Sequence, residues 1–274
     1  MRVQTWISSG TDFVRALLTN RPGHAGELVD LAAAADPTAH RLWCTASDGS
    51  GMTPLHAACR AQNLEFVRLV LGLCPEVCNF LTNPAPAKPQ NWTPLLCACD
   101  IFYNKEEPGY DAFVANMVSI CLRLIAAMEY LSFFETTAGG SNFICVLASR
   151  GHWTGIAPIM VALSEVQTAS GPGGEMANVI TELLNDTSRH EKNLAVVDVA
   201  AAGSRETAEM LIRDWGGIAT KLPLPWNRPG HADYVQRPWH TQPGRDRGNH
   251  RRGRGHGVEG GQPGGRYRYG PNRG

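Results

Sequence analysis

The strongest constraint on the fold is a pattern that the sequence repeats four times. The copies begin near residues 53, 93, 142 and 194, with TPLHAACRAQN, TPLLCACDIFY, NFICVLASRGH and LAVVDVAAAGS, and an apolar segment follows each of them. In the first copy that segment is LEFVRLVL, whose apolar residues recur at helical spacing. Each copy is therefore predicted to form two helices joined by a short turn, with an apolar face that a neighbouring copy must cover. We expect the copies to stack in sequence order.

The first two copies resemble the ankyrin repeat. Residues 53–58 meet the family pattern Thr-Pro-Leu-His-x-Ala in full, and residues 93–95 keep its first three positions, although Leu96 replaces the His. The third copy keeps little beyond Gly151-His152, which matches the family's turn between helices. The resemblance covers residues 10–216. It implies an all-α solenoid of helix-turn-helix repeats that serves as a non-catalytic protein-binding scaffold or adaptor.

The spacing of the copies departs from the family. They begin 40, 49 and 52 residues apart, whereas ankyrin repeats have a period of about 33 residues. The additional residues lie in 83–90, in 104–112 and around 168–175, which are rich in Pro, Gly or charged residues. Such composition is typical of surface loops, so we expect long loops between the repeats.

Charge and composition divide the chain near residue 221. Residues 221–274 contain 11 Lys or Arg against 3 Asp or Glu, while residues 1–220 contain 14 against 22. The C-terminal part is rich in Gly, Pro and Arg and almost free of aliphatic residues, which predicts disorder. The predicted domains are a degenerate capping repeat with two helices at 1–47, ankyrin repeats at 48–220 and a basic tail at 221–274.

The tail contains Arg-Gly steps and nearby tyrosines. These resemble the arginine-glycine segments of RNA-associated proteins, in which guanidinium groups contact phosphates and aromatic rings stack on bases. The alternative function is therefore an RNA-associated adaptor whose tail binds RNA weakly and non-specifically. The tail is also compatible with a solvating spacer, or with attraction to the acidic repeats. The candidate RNA-binding residues are Arg247, Arg251, Arg252, Arg254, Arg266, Tyr267, Arg268 and Tyr269.

Thr53, His56 and Cys59 recur at intervals of three, which places them on one face of a helix. Catalysis by this row would require Cys59 to be exposed, with a lowered pKa and an orienting third group. The structural interpretation makes Thr53 an N-cap and Cys59 a small buried apolar residue. The ankyrin resemblance further implies that His56 forms hydrogen bonds at the junction between a loop and a helix. We favour the structural interpretation and predict no catalytic residues.

Two close cysteine pairs, at 74/78 and 97/99, raise the possibility of a metal site. Zinc sites usually space each ligand pair by two to four residues and place a second pair at a set distance. Cys97 and Cys99 are separated by one residue and point in different directions on a helix. We therefore predict cysteines that pack in the core, with no metal, cofactor or small-molecule substrate.

The resemblance implies that protein partners bind to the loops before the first helices and to the exposed positions of those helices. Trp92 is the leading anchor residue, because large aromatic side chains often dominate protein interfaces. The alternative for Trp92 is packing against the neighbouring APAKP insertion. The candidate partner-binding residues are Asp48, Met52, Arg60, Trp92, Asp100 and Tyr103.

The sequence also bears on the compartment. Its N-terminus lacks the apolar run of a secretory signal, its longest apolar region is interrupted by Arg123 and Glu129, and eight cysteines are too few for a disulfide scaffold at this length. We expect a cytoplasmic protein, with a nuclear location as the alternative, that does not interact with membranes.

Overall fold

The structure is a computed structural model, and it describes residues 41, 44–48, 51–82, 92–187 and 194–220. The predictions for most of the N-terminal capping repeat, for the 83–90 insertion and for the 221–274 tail lie outside these residues. Within the described residues all regular secondary structure is helical. No helix in these same residues is long and apolar enough to cross a membrane.

The helices form pairs that match the four copies. In chain order they are α1 (Pro54–Arg60), α2 (Leu64–Leu73), a 3-10 helix (Pro75–Asn79), α3 (Pro94–Cys99), α4 (Tyr110–Ile125), a second 3-10 helix (Tyr130–Phe134), α5 (Phe143–Arg150), α6 (Trp153–Ser170), α7 (Val179–Asn185), α8 (Val196–Ala201) and α9 (Arg205–Trp215). Repeats 1 to 4 each contain a first helix (α1, α3, α5 or α8) and a second helix (α2, α4, α6 or α9). In repeats 1 to 3 a short third helical segment follows the second helix.

The first helices begin where the sequence provides a cap. The side-chain oxygens of Thr53, Thr93 and Asn142 accept hydrogen bonds from the backbone N–H three residues on, at 3.5, 3.2 and 3.0 Å. Ala195 has no such oxygen, and the carboxylate of Asp198 instead accepts from the Ala195 N–H at 3.0 Å. Each cap satisfies a backbone group that the helix leaves unpaired. The prediction that Thr53 caps α1 is confirmed.

The repeats stack in sequence order. Among the first helices, α1 contacts α3, α3 contacts α5 and α5 contacts α8. Among the second helices, α2 contacts α4, α4 contacts α6 and α6 contacts α9. The two helices of each repeat also contact one another. The predicted all-α stack of helix pairs is therefore confirmed.

The core lies between the layers and is continuous through the stack. Its largest fully buried side chains include Phe66, Leu95, Leu124 and Phe143, which come from repeats 1, 2 and 3. Burial of one such side chain contributes about 1.5–3 kcal/mol relative to an exposed one. All eight cysteines are free and buried, so they serve as core residues.

Two predicted loops are shorter than the sequence suggested. The helix α4 begins at Tyr110, within the predicted 104–112 loop, and α6 continues to Ser170, within the predicted 168–175 loop. The helix α7 was not predicted, although its buried residues Val179, Ile180, Leu183 and Leu184 have helical spacing. Burial of these apolar residues in the core stabilises the helix by more than the nearby Gly and Pro residues, which indicated a loop, disfavour it.

Candidate protein-binding surface

The row of polar residues in α1 joins repeat 1 to the start of repeat 2. His56 is fully buried, and its Nδ1 accepts from the Thr53 N–H at 3.3 Å. Because Nδ1 accepts, the proton of the neutral ring lies on Nε2, which donates to the carbonyl of Trp92 at 2.9 Å. Burial lowers the pKa of His56 to about 4. His56 is therefore a neutral structural link.

Trp92 forms two hydrogen bonds through its backbone with Thr82, which lies on the other side of the 83–90 insertion in the sequence. Its carbonyl accepts from the Thr82 N–H at 3.0 Å, and its own N–H donates to Thr82 Oγ1 at 3.0 Å. The indole ring is half-buried against the core, and its buried Nε1 forms no hydrogen bond with the described residues. Trp92 thus supports the fold.

Cys59 lacks the properties of a nucleophile. It is fully buried, and burial, followed by the neighbouring Cys97 and Cys121, raises its pKa well above the ordinary value. A reactive cysteine needs an accessible thiolate, which this environment disfavours. The exposure that catalysis would require is not met at Cys59.

The remaining cysteines are also engaged in packing. Cys78 Sγ donates to the carbonyl of Ala127 at 3.1 Å, and the sulfur atoms of Cys99 and Cys121 lie 3.7 Å apart. Within the described ranges no group of three or more His, Cys, Asp or Glu side chains is placed to hold a metal ion.

The first helices are exposed only near their C-terminal ends. Arg60 is the exposed residue of α1, α3 has none, and Ser149 is the exposed residue of α5. The rest of these helices is buried or half-buried. A partner that contacts first helices directly must therefore reach their C-terminal ends.

An ion pair connects the C-terminal ends of α3 and α5. Arg150 donates from Nε to Asp100 Oδ1 at 2.8 Å, and its Nη2 contacts the same oxygen. The side chains are 35% and 18% exposed, respectively, so the pair is partly shielded from water. Arg60 occupies the corresponding end of α1 and is exposed. Charges of alternating sign thus follow the ends of three successive first helices.

Aromatic side chains lie directly after α3. The ring of Tyr103 stacks on Phe113 with 4.7 Å between centroids, and its hydroxyl donates to the Pro108 carbonyl at 3.1 Å. Phe102, by contrast, is 55% exposed. We call this region the turn surface and define it by six residues: Arg60, Asp100, Phe102, Tyr103, Lys105 and Arg150.

Two further contacts fix the turn surface to repeat 3. His152 is buried and its Nε2 donates to the Ile101 carbonyl at 2.8 Å. Lys105 Nζ lies 5.0 Å from the ring centroid of Trp153, within cation–π range. Burial lowers the pKa of His152, so it is a second neutral link between repeats. The turn surface is therefore held by two adjacent repeats.

Comparison with protein families gives one match. The ankyrin repeat model matches residues 50–80, which contain α1, α2 and the first 3-10 helix. Residues 50–80 are therefore an ankyrin repeat. Comparison with curated proteins gave no match.

The stacked helix pairs separate the predicted partner-binding residues into two groups. Asp48 accepts from the Met52 N–H at 3.0 Å, and both residues lie with Trp92 at the N-terminal side of the first helices. The others, Arg60, Asp100 and Tyr103, lie at the C-terminal side, about 10 Å away along α1. Met52 is 9% exposed and so offers a partner little surface.

Sequence reasoning did not identify Phe102, Lys105 or Arg150 as part of this surface. A signal existed for Arg150, because it ends its helix with a charge opposite to that of Asp100 in the preceding copy. Opposite charges at equivalent ends of stacked repeats predict an ion pair. Phe102 and Lys105 lie in a loop without a regular pattern, so their positions depend on the fold.

Proposed function

We propose that this protein is a non-catalytic adaptor that binds a protein partner through the turn surface. Ankyrin repeats generally mediate binding between proteins, and the match at residues 50–80 supports that class of function here. The observation that carries the proposal is the exposed Phe102 beside a fixed ion pair at the ends of α3 and α5.

The chemistry of the turn surface suits a protein interface. Phe102 provides an aromatic contact, while Arg60 provides an exposed cation that can pair with a carboxylate of the partner. Asp100 and Arg150 are already held by one another, so binding orders few additional side chains. This mode of binding does not use the side chains of Asp48 and Trp92.

The test is affinity capture with the full-length chain and a double variant, Arg60→Ala/Phe102→Ala. The matched control is Arg213→Ala/Val161→Ala, which removes an exposed Arg and an exposed apolar residue from α9 and α6. Mass spectrometry should show a captured protein that the turn-surface variant loses and the control retains, with circular dichroism unchanged. Equal capture by all three proteins would contradict the proposal.

The alternative function, an RNA-associated adaptor, is supported by the Arg-Gly steps of the tail. We propose that Arg247, Arg251, Arg252 and Arg254 contribute to weak, non-specific RNA binding. Changing these four residues to Ser in the full chain should reduce RNA binding and flatten its dependence on salt. Unchanged binding to a single-stranded RNA oligonucleotide would exclude this function for them.

We further propose a cytoplasmic or nuclear location. All eight cysteines are free and buried, which suits a reducing compartment. Fluorescence microscopy of the tagged full-length chain tests this, and accumulation in the secretory pathway would contradict it.

A further inference from the structure

The short third segments of repeats 1 to 3 form a continuous row. Asn79 Oδ1, in the first segment, accepts from the Glu129 N–H at 2.9 Å. The Tyr130 hydroxyl, in the second, donates to Glu182 Oε2 in α7 at 2.6 Å. These side-chain bonds join segments about fifty residues apart in the chain. We call this region the third-segment row and define it by residues 75–81, 129–135 and 175–185.

The row is attached to the body of the stack on its inner side. Val77, Cys78, Phe133 and Leu183 point into the core and are buried. At the far end, Asn185 Oδ1 accepts from the Ile218 N–H at 2.8 Å, which ties the row to repeat 4. The outer side is therefore presented on a fixed backbone.

The outer side of the row exposes large apolar residues. Leu131 is 76% exposed, and Phe80 and Leu81 are 36% and 38% exposed. Phe80 follows Asn79 directly, and Leu131 lies two residues after Glu129, so the hydrogen bond between Asn79 and Glu129 brings the two apolar sites near one another. An apolar site of this kind gains free energy when a partner removes it from water.

Acidic residues predominate around the second and third segments, whereas Glu76 of the first segment pairs with Arg41. Residues 124–187 contain six Asp or Glu and a single Lys or Arg, Arg150, which is paired with Asp100 at the turn surface. Glu129 and Glu175 are exposed, and no salt bridge within the described residues involves either of them. Their carboxylates are therefore available to cations.

The environment of the Tyr130 hydroxyl is also negatively charged. The hydrogen bond to Glu182, then burial and the charges of Glu182 and Glu175, raise the pKa of the Tyr130 hydroxyl. Negative charge disfavours a tyrosinate and favours a cation at the same place.

We propose that the third-segment row binds an extended basic peptide segment of a partner protein, in which Arg or Lys side chains are interspersed with apolar ones. The apolar side chains would cover Leu131 and Phe80, and the cations would pair with Glu129 and Glu175. This second surface is separate from the turn surface. It would therefore give the proposed adaptor a second binding site, which takes a basic segment. The reasoning rests on exposed apolar side chains and on charge complementarity.

The test is fluorescence anisotropy with the full-length chain and a labelled peptide of four Arg-Ala-Leu repeats. A peptide of four Glu-Ala-Leu repeats is the control for charge. We expect the basic peptide to bind with a dissociation constant below about 1 mM. Its binding should weaken as the salt concentration rises from about 50 to about 200 mM. No binding, or equal binding of the acidic peptide, would overturn the proposal.

Variants locate the site. Glu129→Gln/Glu175→Gln should weaken binding about fivefold, since it removes two exposed ion pairs that each strengthen binding roughly twofold. The matched control Glu107→Gln/Glu206→Gln makes the same change of charge on exposed residues of the α3–α4 loop and α9. It should weaken binding less than twofold, because these residues lie outside the row. An equal effect of both double variants would overturn the assignment to the row.

Two more variants test the apolar contact and the independence of this surface. Leu131→Ser should weaken binding of the basic peptide several-fold, because it removes an apolar contact. The circular dichroism spectrum should not change, because the side chain is mostly exposed. Arg60→Ala/Phe102→Ala should leave peptide binding unchanged, even if it abolishes capture of the turn-surface partner. Unchanged binding by Leu131→Ser, or loss by the turn-surface variant, would overturn the proposal.

Discussion

Acidification should destabilise this protein through His56. The ring is buried and neutral, with its pKa lowered to about 4 in the folded state, whereas an unfolded His has a pKa of about 6.5. Between these values the unfolded chain binds a proton that the folded chain does not. Stability is therefore lost as the pH falls from 6.5 towards 4, and the loss stops below the folded pKa.

The magnitude follows from the two pKa values. The full difference corresponds to about 3 kcal/mol, and about 2 kcal/mol of it is already lost at pH 5. The variant His56→Leu isolates this effect, because Leu96 occupies the same position in the second copy and does not titrate. All other titrating groups are common to both proteins.

The assay is urea unfolding of the full-length wild type and His56→Leu, followed by circular dichroism at pH 7 and pH 5. The variant should be less stable at pH 7, since it loses the hydrogen bonds to Thr53 and Trp92. The wild type should lose about 2 kcal/mol more than the variant on going to pH 5. Equal losses would refute a buried, neutral His56.

Three further predictions concern packing and capping. Gly203→Ala should destabilise the protein by about 1–3 kcal/mol, since a Cβ there would lie 2.6 Å from Cη2 of Trp153; thermal unfolding measures this loss. Thr93→Ala should cost about 1 kcal/mol by removing the cap of α3, and Thr93→Ser should recover most of it in the same assay. Cys59 should resist alkylation by iodoacetamide in the folded protein and react only after unfolding, as peptide mass spectrometry would show, because it is buried with a raised pKa; rapid alkylation of the native protein would contradict its structural role.

The sequence was most informative where local rules determine the structure. The Thr-Pro start of α1 and α3 fixes a cap and a first helical residue within two positions, and both helices begin as predicted. The order of stacking followed from the apolar faces of consecutive copies, since each face must be covered by a neighbour.

The surfaces were less predictable, because they depend on contacts between distant residues. The bond between Tyr130 and Glu182 spans 52 positions, and nothing in either local sequence indicates it. The burial of the first helices likewise results from packing of whole layers, so their exposed ends could be found only in three dimensions. Only Arg60, Asp100 and Tyr103 among the predicted binding residues fall on the turn surface.

The central claim is that four helix pairs stack in sequence order, including the pairs beyond the family match. Double electron–electron resonance tests it with spin labels at exposed positions near the C-terminal ends of the first helices, on Arg60→Cys/Ser149→Cys and Arg60→Cys/Ala202→Cys. With 8–10 Å per layer, the labels should be separated by roughly 16–20 Å across two layers and roughly 24–30 Å across three. A distance to position 202 that is equal to or shorter than the distance to position 149 would contradict the stack.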